Sequence, residues 1–469
     1  MLFKSSSPGT LVCVVLAALN IRAMRLLFSY LVGALMPSST LDNSFNSVAI
    51  VGASPKTWKI GGLVLRSLIS HGFRGRIYLV NPHYEEIMGY KCYPSLESLP
   101  EVPDIVAIAV PEKIALQVLR EAARLGVKLA VVFTSGGQGF TESLRKLANE
   151  TGMQIIGPNS AGLIVARAGL YLTIEYSAPP GPVAVVSQSG ALGGVAMHWL
   201  SLLSSGVSFF TSIGNMSNIS VCDVFEYAAE DEDTEALVAY IEWIRDGRRY
   251  MSALRALASR GKPVCIVKGG RGPRSSEAVR THTGGVATSY ELFSAATRQV
   301  GGAVVDDIAA AVLLCEAKRR LKRLGRRVVM VTNSGGLGVL AASQLENTGY
   351  TLPRLSNEVL SEIKRIKPEG VAGANPIDLQ GDASITQLVD AALLLSSSAI
   401  ADLVLLGYVP TSAESPEKVC KELARLKSAE KPVIVLVEGY GSLEITRCGS
   451  KAVLVVPDTG LLSAILGKL

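Results

Sequence analysis

Residues 183–194 read VAVVSQSGALGG. Small apolar and β-branched residues run without a polar break, as in a strand buried on both faces of a parallel sheet. Ser187, Gln188, Ser189 and Gly190 then interrupt the run, and a helix-like stretch follows. A strand that runs into a serine–glycine turn opening a helix is the repeating unit of a doubly wound α/β fold. The same logic recurs at 51–62, VGASPKTWKIGG, and at 332–340, TNSGGLGVL.

Each turn heads a domain. SVAIVG, RIYLVN, IVAIAV and LAVVFT, between 47 and 134, read as buried strands. VLRSLISHG (64–72) and IALQVLREAARLG (114–126) read as crossover helices ending in glycine. GMQIIGPNSAGLI closes this first unit, and SAPPGP (177–182) breaks the chain. VSFFTSIG, ALVAYIE and PVCIVKG continue the second unit, which ends in the basic run KRRLKRLGRR, read as a solvated helix end and connector. DLVLLGYV, PVIVLVEG and AVLVVP belong to the third. The expected fold is therefore α/β, three consecutive doubly wound Rossmann- or flavodoxin-like domains at 46–175, 180–323 and 326–469.

At 469 residues, with 48% hydrophobic residues and 45 glycines, the composition suits sheets joined by tight turns. The net charge is +6, but Lys4, Arg22 and Arg25 supply three of those charges before Met36. No basic stripe with interleaved aromatics exists, so nucleic acid is excluded as a partner. Seven cysteines are scattered without a C-x-x-C pair, which reads as reduced, buried thiols in a cytoplasmic protein. Residues 1–45 contain two apolar runs of roughly 11 residues, short of the ~18–20 that cross a bilayer. The expectation is no membrane partner and an extension whose true beginning is Met36 or Met24.

The first amides of a helix lack internal partners and carry partial positive charge, so anions settle at such turns. The first turn departs from a dinucleotide fingerprint: Ser54 stands where G-x-G-x-x-G needs glycine, and Asn81 replaces the acid that holds a ribose. An NAD-dependent oxidoreductase is thereby disfavoured, and Ser54 and Lys59 become candidates for another phosphate-bearing ligand. A plain βα turn is the alternative. SQSGA is not G-x-S-x-G, so Ser189, Gly190 and Ala191 read as anion donors rather than a nucleophile turn. Gly335, Gly336, Leu337 and Gly338 let backbone approach a ligand without side-chain obstruction.

VRTHTGGVAT (279–288) places His282 in a glycine-rich stretch read as a loop. No second histidine or cysteine lies at ligand spacing, so no metal is expected there. His71, His83 and His198 read as ordinary structural residues. A neutral imidazole is a competent nucleophile and needs an acid on its second nitrogen. Glu242, at the end of the buried strand ALVAYIE, is the candidate; the alternative is a rim carboxylate bound to Arg245 or water.

The ordered set VAIVGAS, YLVNP, IIGPNSAGL, VSQSGAL, SIGN, YIE, K-x-GR, HTG, TNSGGLGVLAA and NPIDLQGDA resembles the ADP-forming acyl-CoA synthetases. The resemblance is closest to the α subunit of ADP-forming acetate–CoA ligase, related to succinyl-CoA synthetase, and runs from about residue 46 to the C-terminus. It implies a CoA-binding first domain, with Gly52, Ala53, Ser54 and Lys59 at its phosphate-facing turn and Asn81 and Pro82 beside it. It implies that His282 is phosphorylated and steadied by Glu242. It implies that the turns at Ser189–Ala191 and Gly335–Gly338 cradle the phosphate. The implied reaction converts acyl-CoA, phosphate and ADP reversibly to acid, CoA and ATP through an acyl phosphate and phosphohistidine. No stretch reads as an ATP-grasp domain or P-loop, so ADP/ATP and Mg²⁺ are expected on a separate β subunit, in an α2β2 complex. The family usually has glycine where Trp58 stands. The competing expectation is a CoA- or acyl-CoA-sensing module without chemistry.

Overall fold

Strands with no polar face need cover on both sides, and this chain supplies it by alternating them with helices. The computed structural model describes residues 45–283, 288–321, 324–369 and 375–469, with backbone alone at 280–283. The expectations for the N-terminal extension fall on residues 1–44, outside the described residues. Among the described residues three sheets follow one another along the chain.

The first contains β1 (Ser47–Val51), β2 (Arg76–Val80), β3 (Glu86–Ile87), β4 (Tyr90–Tyr93), β5 (Ile105–Ile108), β6 (Leu129–Val132) and β7 (Gln154–Ile156). Their order is β3-β4-β2-β1-β5-β6-β7, parallel except for the β3–β4 hairpin. That hairpin turns on Met88 and Gly89, both at positive φ, as a two-residue primed turn requires. The connections leave β1 in opposite directions, so the switch point lies between β1 and β5, at the first of the three turns.

The second sheet holds β8 (Gly162–Val165), β9 (Leu170–Thr173), β10 (Pro180–Ser187), β11 (Val207–Ser212), β12 (Ala236–Ile241), β13 (Val264–Lys268) and β14 (Ala303–Val305). Its order is β14-β13-β12-β10-β11-β8-β9. The five strands from β10 onward are parallel in flavodoxin-like order. β8 and β9 are not: β8 runs antiparallel to both β11 and β9. Residues 162–173, grouped with the first unit in the sequence reading, thus belong to the second sheet. The reason is an open edge: β11 has no other neighbour on that side, and the apolar strands GLIV and LYLT cover it. The third sheet contains β15 (Val328–Thr332), β16 (Ile377–Asp378), β17 (Leu403–Tyr408), β18 (Val433–Val437) and β19 (Leu454–Val456), all parallel, in the order β16-β15-β17-β18-β19. This repeats the order of the second.

The second and third sheets share one apolar core, and the helix Ile308–Leu321 runs through it. Every residue from Ile308 to Ala317 is buried, including the fully buried Glu316. The helix end at Lys318–Leu321 is accordingly half-buried rather than solvated, while Arg326 and Arg327 of the connector are exposed. Arg319 and Arg320 close on the Glu316 carboxylate at 2.9 and 2.6 Å, and Arg320 also donates to the carbonyls of Leu203 and Ser450. Burial raises the pKa of Glu316, but the two guanidiniums outweigh it and hold the carboxyl below its usual range. The reading of uniformly reduced thiols is also corrected. Cys420 and Cys448 form a disulfide with Cα atoms 5.6 Å apart. It joins the helices Pro416–Leu423 and Ser442–Gly449, whose close approach is allowed by Gly449, where a Cβ would lie 2.9 Å from Leu423. Sequence spacing could not reveal a pair made by helix packing. Cys92, Cys222, Cys265 and Cys315 are free and buried.

Glu316→Ala would leave two guanidiniums without their buried counter-charge, and we expect a loss of about 3–5 kcal/mol in urea unfolding at neutral pH. The folded-state pKa of Glu316 is depressed, so its contribution is present above the unfolded carboxylate pKa and is lost as pH falls through the folded one. The stability gap between parent and variant should therefore narrow on acidification.

Candidate active site

The first turn is built by close backbone approach. Gly52 adopts φ +87°, and a Cβ there would lie 2.5 Å from the Ala109 carbonyl oxygen. Gly61 and Gly62 open the helix Ile60–Ser70, and side chains on them would strike the carbonyls of Gly52 and Lys56. Ala53 and Ser54 are buried, and the Ser54 hydroxyl accepts from Lys56 N–H at 3.1 Å. Asn81 donates from its side-chain amide to the Ala53 carbonyl (2.8 Å) and accepts from His83 N–H (3.0 Å). Asn81 therefore ties the end of β2 to the turn after β1. Pro82 and Lys59 are exposed, and Trp58, 75% exposed, has Lys56 Nζ 6.0 Å from its ring centroid.

The second and third turns repeat one another position by position. Ser189 N–H donates to Ser187 Oγ at 3.1 Å, and Ser334 N–H donates to Thr332 Oγ1 at 3.0 Å. Ser189 and Ser334 are the N-caps of the helices Gly190–Leu202 and Gly335–Asn347. Between them stand Gln188 and Asn333, both buried. Asn333 spans the switch point, accepting from Val409 N–H and donating to the Val409 carbonyl, each at 2.9 Å. Gln188 does the same with a longer reach. Its Oε1 accepts from the backbone N–H groups of Glu242 and Trp243, and its Nε2 donates to the Trp243 carbonyl at 2.9 Å. Leu192 and Leu337, the third residues of the two helices, both pack on the core shared by the two sheets.

Gln188 thus fixes Glu242 beside the second turn. Glu242 is 6% exposed and accepts from Tyr240 O–H at 3.2 Å. Lys268, buried at the end of β13, donates to the Glu242 carbonyl at 2.7 Å. Burial lowers the Lys268 pKa while the Glu242 charge raises it, and the net shift is downward. Burial and Glu242 together push the Tyr240 phenol up. Arg245, the alternative partner considered for Glu242, donates instead to the Met216 carbonyl.

His282 differs from the sequence reading. Its backbone lies in the last turn of the helix Pro273–Thr283, not in a loop. Its side chain, and residues 284–287 entirely, lie outside the described residues, so the pairing of His282 with Glu242 is not described. Among the described residues no group of three or more His, Cys, Asp or Glu is placed to hold a metal ion. No helix among them is long and apolar enough to cross a membrane.

A cleft of about 570 Å³ lies between the end of β5 and the second turn; it touches the first turn at Ile60, and Gly52, Ala53, Ser54 and Lys59 do not line it. Ile60, Val110 and Phe133 line it from the first sheet, Ser189 and Gly190 from the second, and Glu175 closes one side. A ligand anchored at the β1–β5 switch point can therefore reach the anion turn at Ser189. Gly335–Gly338 do not line this cleft.

Comparison with known proteins agrees with this arrangement. The family described as CoA binding domain matches residues 46–166, and the family described as succinyl-CoA ligase like flavodoxin domain matches 180–317. A solved structure, the dinucleotide-forming acetyl-coenzyme A synthetase 1 of Ca. Korarchaeum cryptofilum in complex with phosphate and ADP, superposes with a TM-score of 0.79 and 30% identity. It covers 91% of this chain and 94% of that one. The chain is 33% identical over 417 residues to acetate–CoA ligase [ADP-forming] II subunit alpha of Pyrococcus furiosus, covering 86% of this chain and 91% of that subunit. The chain belongs to the ADP-forming acetate–CoA ligase family. It spans only about half of another relative, acetate–CoA ligase [ADP-forming] I of Archaeoglobus fulgidus (34% identity, 78% of this chain, 54% of that protein).

Within this ligase fold, sequence reasoning names the three turns and Glu242 as candidates but not the clasps of Gln188 and Asn333. Gln188 and Asn333 were quoted as motif letters without a role. Their signal was present: an amide side chain between two hydroxyl residues at a strand end, repeated in both flavodoxin-like units. Glu175 gave no signal, because its place depends on β9 crossing to the second sheet.

Gln188→Ala would strand the buried N–H groups of Glu242 and Trp243, each costing about 1–3 kcal/mol. We expect faster hydrogen exchange at both amides in the ligase chain, with exchange at the Asn333–Val409 clasp unchanged.

Proposed function

We propose that this chain is the α subunit of an ADP-forming acyl-CoA synthetase of the acetate–CoA ligase type. It would convert acyl-CoA, ADP and phosphate reversibly to carboxylic acid, CoA and ATP. The observation that carries this reading is the cleft that runs from the end of β5, at the switch point, to a second turn beside which Gln188 clasps a buried acid. A dianion at Ser189–Ala191 meets helix-start amides, each terminus contributing roughly 0.3–1 kcal/mol from the dipole. The residues fit CoA: Gly52 lets the first turn close on the Ala109 carbonyl beside the switch point, and the exposed Lys56 and Lys59 bring positive charge to that turn.

In the proposed cycle a phosphate oxygen attacks the thioester carbonyl, the C–S bond breaks, and CoA leaves as thiolate to take up a proton. The imidazole of His282 then attacks phosphorus, the P–O bond to the acyl group breaks, and the carboxylate leaves. Glu242 accepts the other ring N–H and balances the charge of the imidazolium. ADP oxygen finally takes the phosphoryl group as the P–N bond breaks. The helix starts at Ser189–Ala191 and Gly335–Gly338 stabilise the phosphoryl charge. The nucleotide, with Mg²⁺ to neutralise its phosphates, would be held by a separate β subunit carrying an ATP-grasp domain, in an α2β2 assembly.

Incubation of the chain with its β partner, Mg²⁺ and labelled ATP should give acid-labile, base-stable label that is absent in His282→Asn. CoA binding without label, in the presence of a competent partner, would make the chain a CoA sensor instead. Glu242→Gln should slow labelling by about 10²-fold or more while CoA binding persists. Equal labelling rates in variant and parent would remove Glu242 from the mechanism.

A further inference from the structure

Glu175 follows β9 and enters the cleft beside the second turn. Its carboxyl rests against the opening of the helix Gly190–Leu202. A Cβ on Gly190 would lie 3.2 Å from Oε1, and one on Gly194 would lie 2.8 Å from Oε2. Two glycines thus hollow a niche that this carboxyl fills. No hydrogen bond among the described residues reaches its carboxyl oxygens; its backbone N–H donates to Thr173 Oγ1 at 3.1 Å. The third turn repeats the device, since a Cβ on Gly335 would lie 2.8 Å from Asp378 Oδ2. There the carboxylate is engaged, accepting from Gln380 N–H at 2.8 Å. Glu175 has no such donor.

Resting on the reading that phosphate binds at Ser189–Ala191, we propose that Glu175 is a specificity-determining residue for that phosphate. As a carboxylate it occupies the niche and repels the anion; as a carboxylic acid it donates a hydrogen bond to one phosphate oxygen. Burial raises the Glu175 pKa above the usual carboxylate range. The charged and titratable groups around it are Glu112 across the cleft, and Arg66 and His71 on an adjoining cavity of about 270 Å³. His198, on the helix that carries the niche, packs edge-on against Tyr176. None of these is placed to neutralise Glu175 by direct contact. A neutral donor at this position selects an anion with oxygens to spare, which distinguishes phosphate from a simple carboxylate.

Calorimetric titration of inorganic phosphate into the full chain tests this at the acidic and alkaline ends of a series from about pH 5 to about pH 8. Glu175→Gln is a neutral donor at both values, and the ratio of parent to variant cancels the titration of phosphate itself. We expect Glu175→Gln to bind phosphate about tenfold or more tightly than parent at the higher pH, a one-unit effect, and within about twofold of it at the lower. Glu175→Ala, which keeps the space but no donor, should bind more weakly than Glu175→Gln at both. A parent-to-Gln ratio that is the same at both pH values, equal binding by Gln and Ala, or no phosphate binding by any of the three would overturn the proposal. Absence of phosphohistidine in the complex, with the calorimetric pattern intact, would strike the reaction and leave the role of Glu175 standing.

Discussion

A single side-chain amide holds the candidate site together. Gln188 lies between the end of β10 and the end of β12 and hydrogen-bonds backbone on the far side. Strand ends at a switch point splay apart, because the connections leave in opposite directions, and their last N–H and C=O groups lose ladder partners. An amide carries one acceptor and two donors, so it can close that gap without a net charge. A carboxylate could not donate, and a lysine could not accept. With the gap closed, Glu242 has one backbone position relative to Ser189, and the site needs only that position to be constant. Asn333 performs the shorter version of the same task in the third unit, where Val409 occupies the place of Glu242. Two turns of similar geometry therefore differ at the far strand end, where Glu242 stands in one and Val409 in the other.

The two turns are also held on one body. The helix Ile308–Leu321 contributes to a core that includes Phe210 and Met197 on one side and Met330 and Leu405 on the other. A helix buried all round has no solvated face on which to pivot. Glu316, inside that core, is chained through Arg320 to the carbonyls of Leu203 and Ser450, which belong to different units. The pair does not owe its value to attraction alone, since desolvation of a buried carboxylate offsets much of it. Its consequence is register: the guanidinium reaches both carbonyls in one relative placement of the two sheets.

The strand-then-turn pattern was legible because it is local. VAIVG, VAVVSQSG and VVMVTNSGG each state, within a dozen residues, a buried strand and the start of a helix. The acid at Glu242 was legible for the same reason, as a charge terminating an apolar strand. What escaped were relations between distant segments. The strands at 162–173 look like the end of the first unit, and only the open edge of β11 explains why they leave it. The Cys420–Cys448 pair follows from two helices meeting over Gly449. The stretch KRR reads as solvated until Glu316, three and four residues upstream of Arg319 and Arg320, is seen to be fully buried. The glycines around His282 suggested a loop, yet helix persists to Thr283, because AVRTH precedes them and the first Gly is residue 284.

That last difference bears on how a phosphoryl group would be handled. The C-terminal end of a helix carries partial negative charge, so it favours a protonated imidazole and disfavours a phosphorylated one, by roughly 0.3–1 kcal/mol in each direction. The starts at Gly190 and Gly335 have the opposite preference. The phosphorylation proposed for His282 would therefore make the helix end a worse environment and the turns a better one. The cost of leaving is small: Thr281 and Thr283 are weak helix formers, and the two glycines that follow each disfavour continuation by about 1 kcal/mol. Gain and cost are of the same order. A carrier of the kind proposed, loading in one pocket and discharging in another in either direction, would work best when neither resting place is a deep well, and these two terms would leave both shallow.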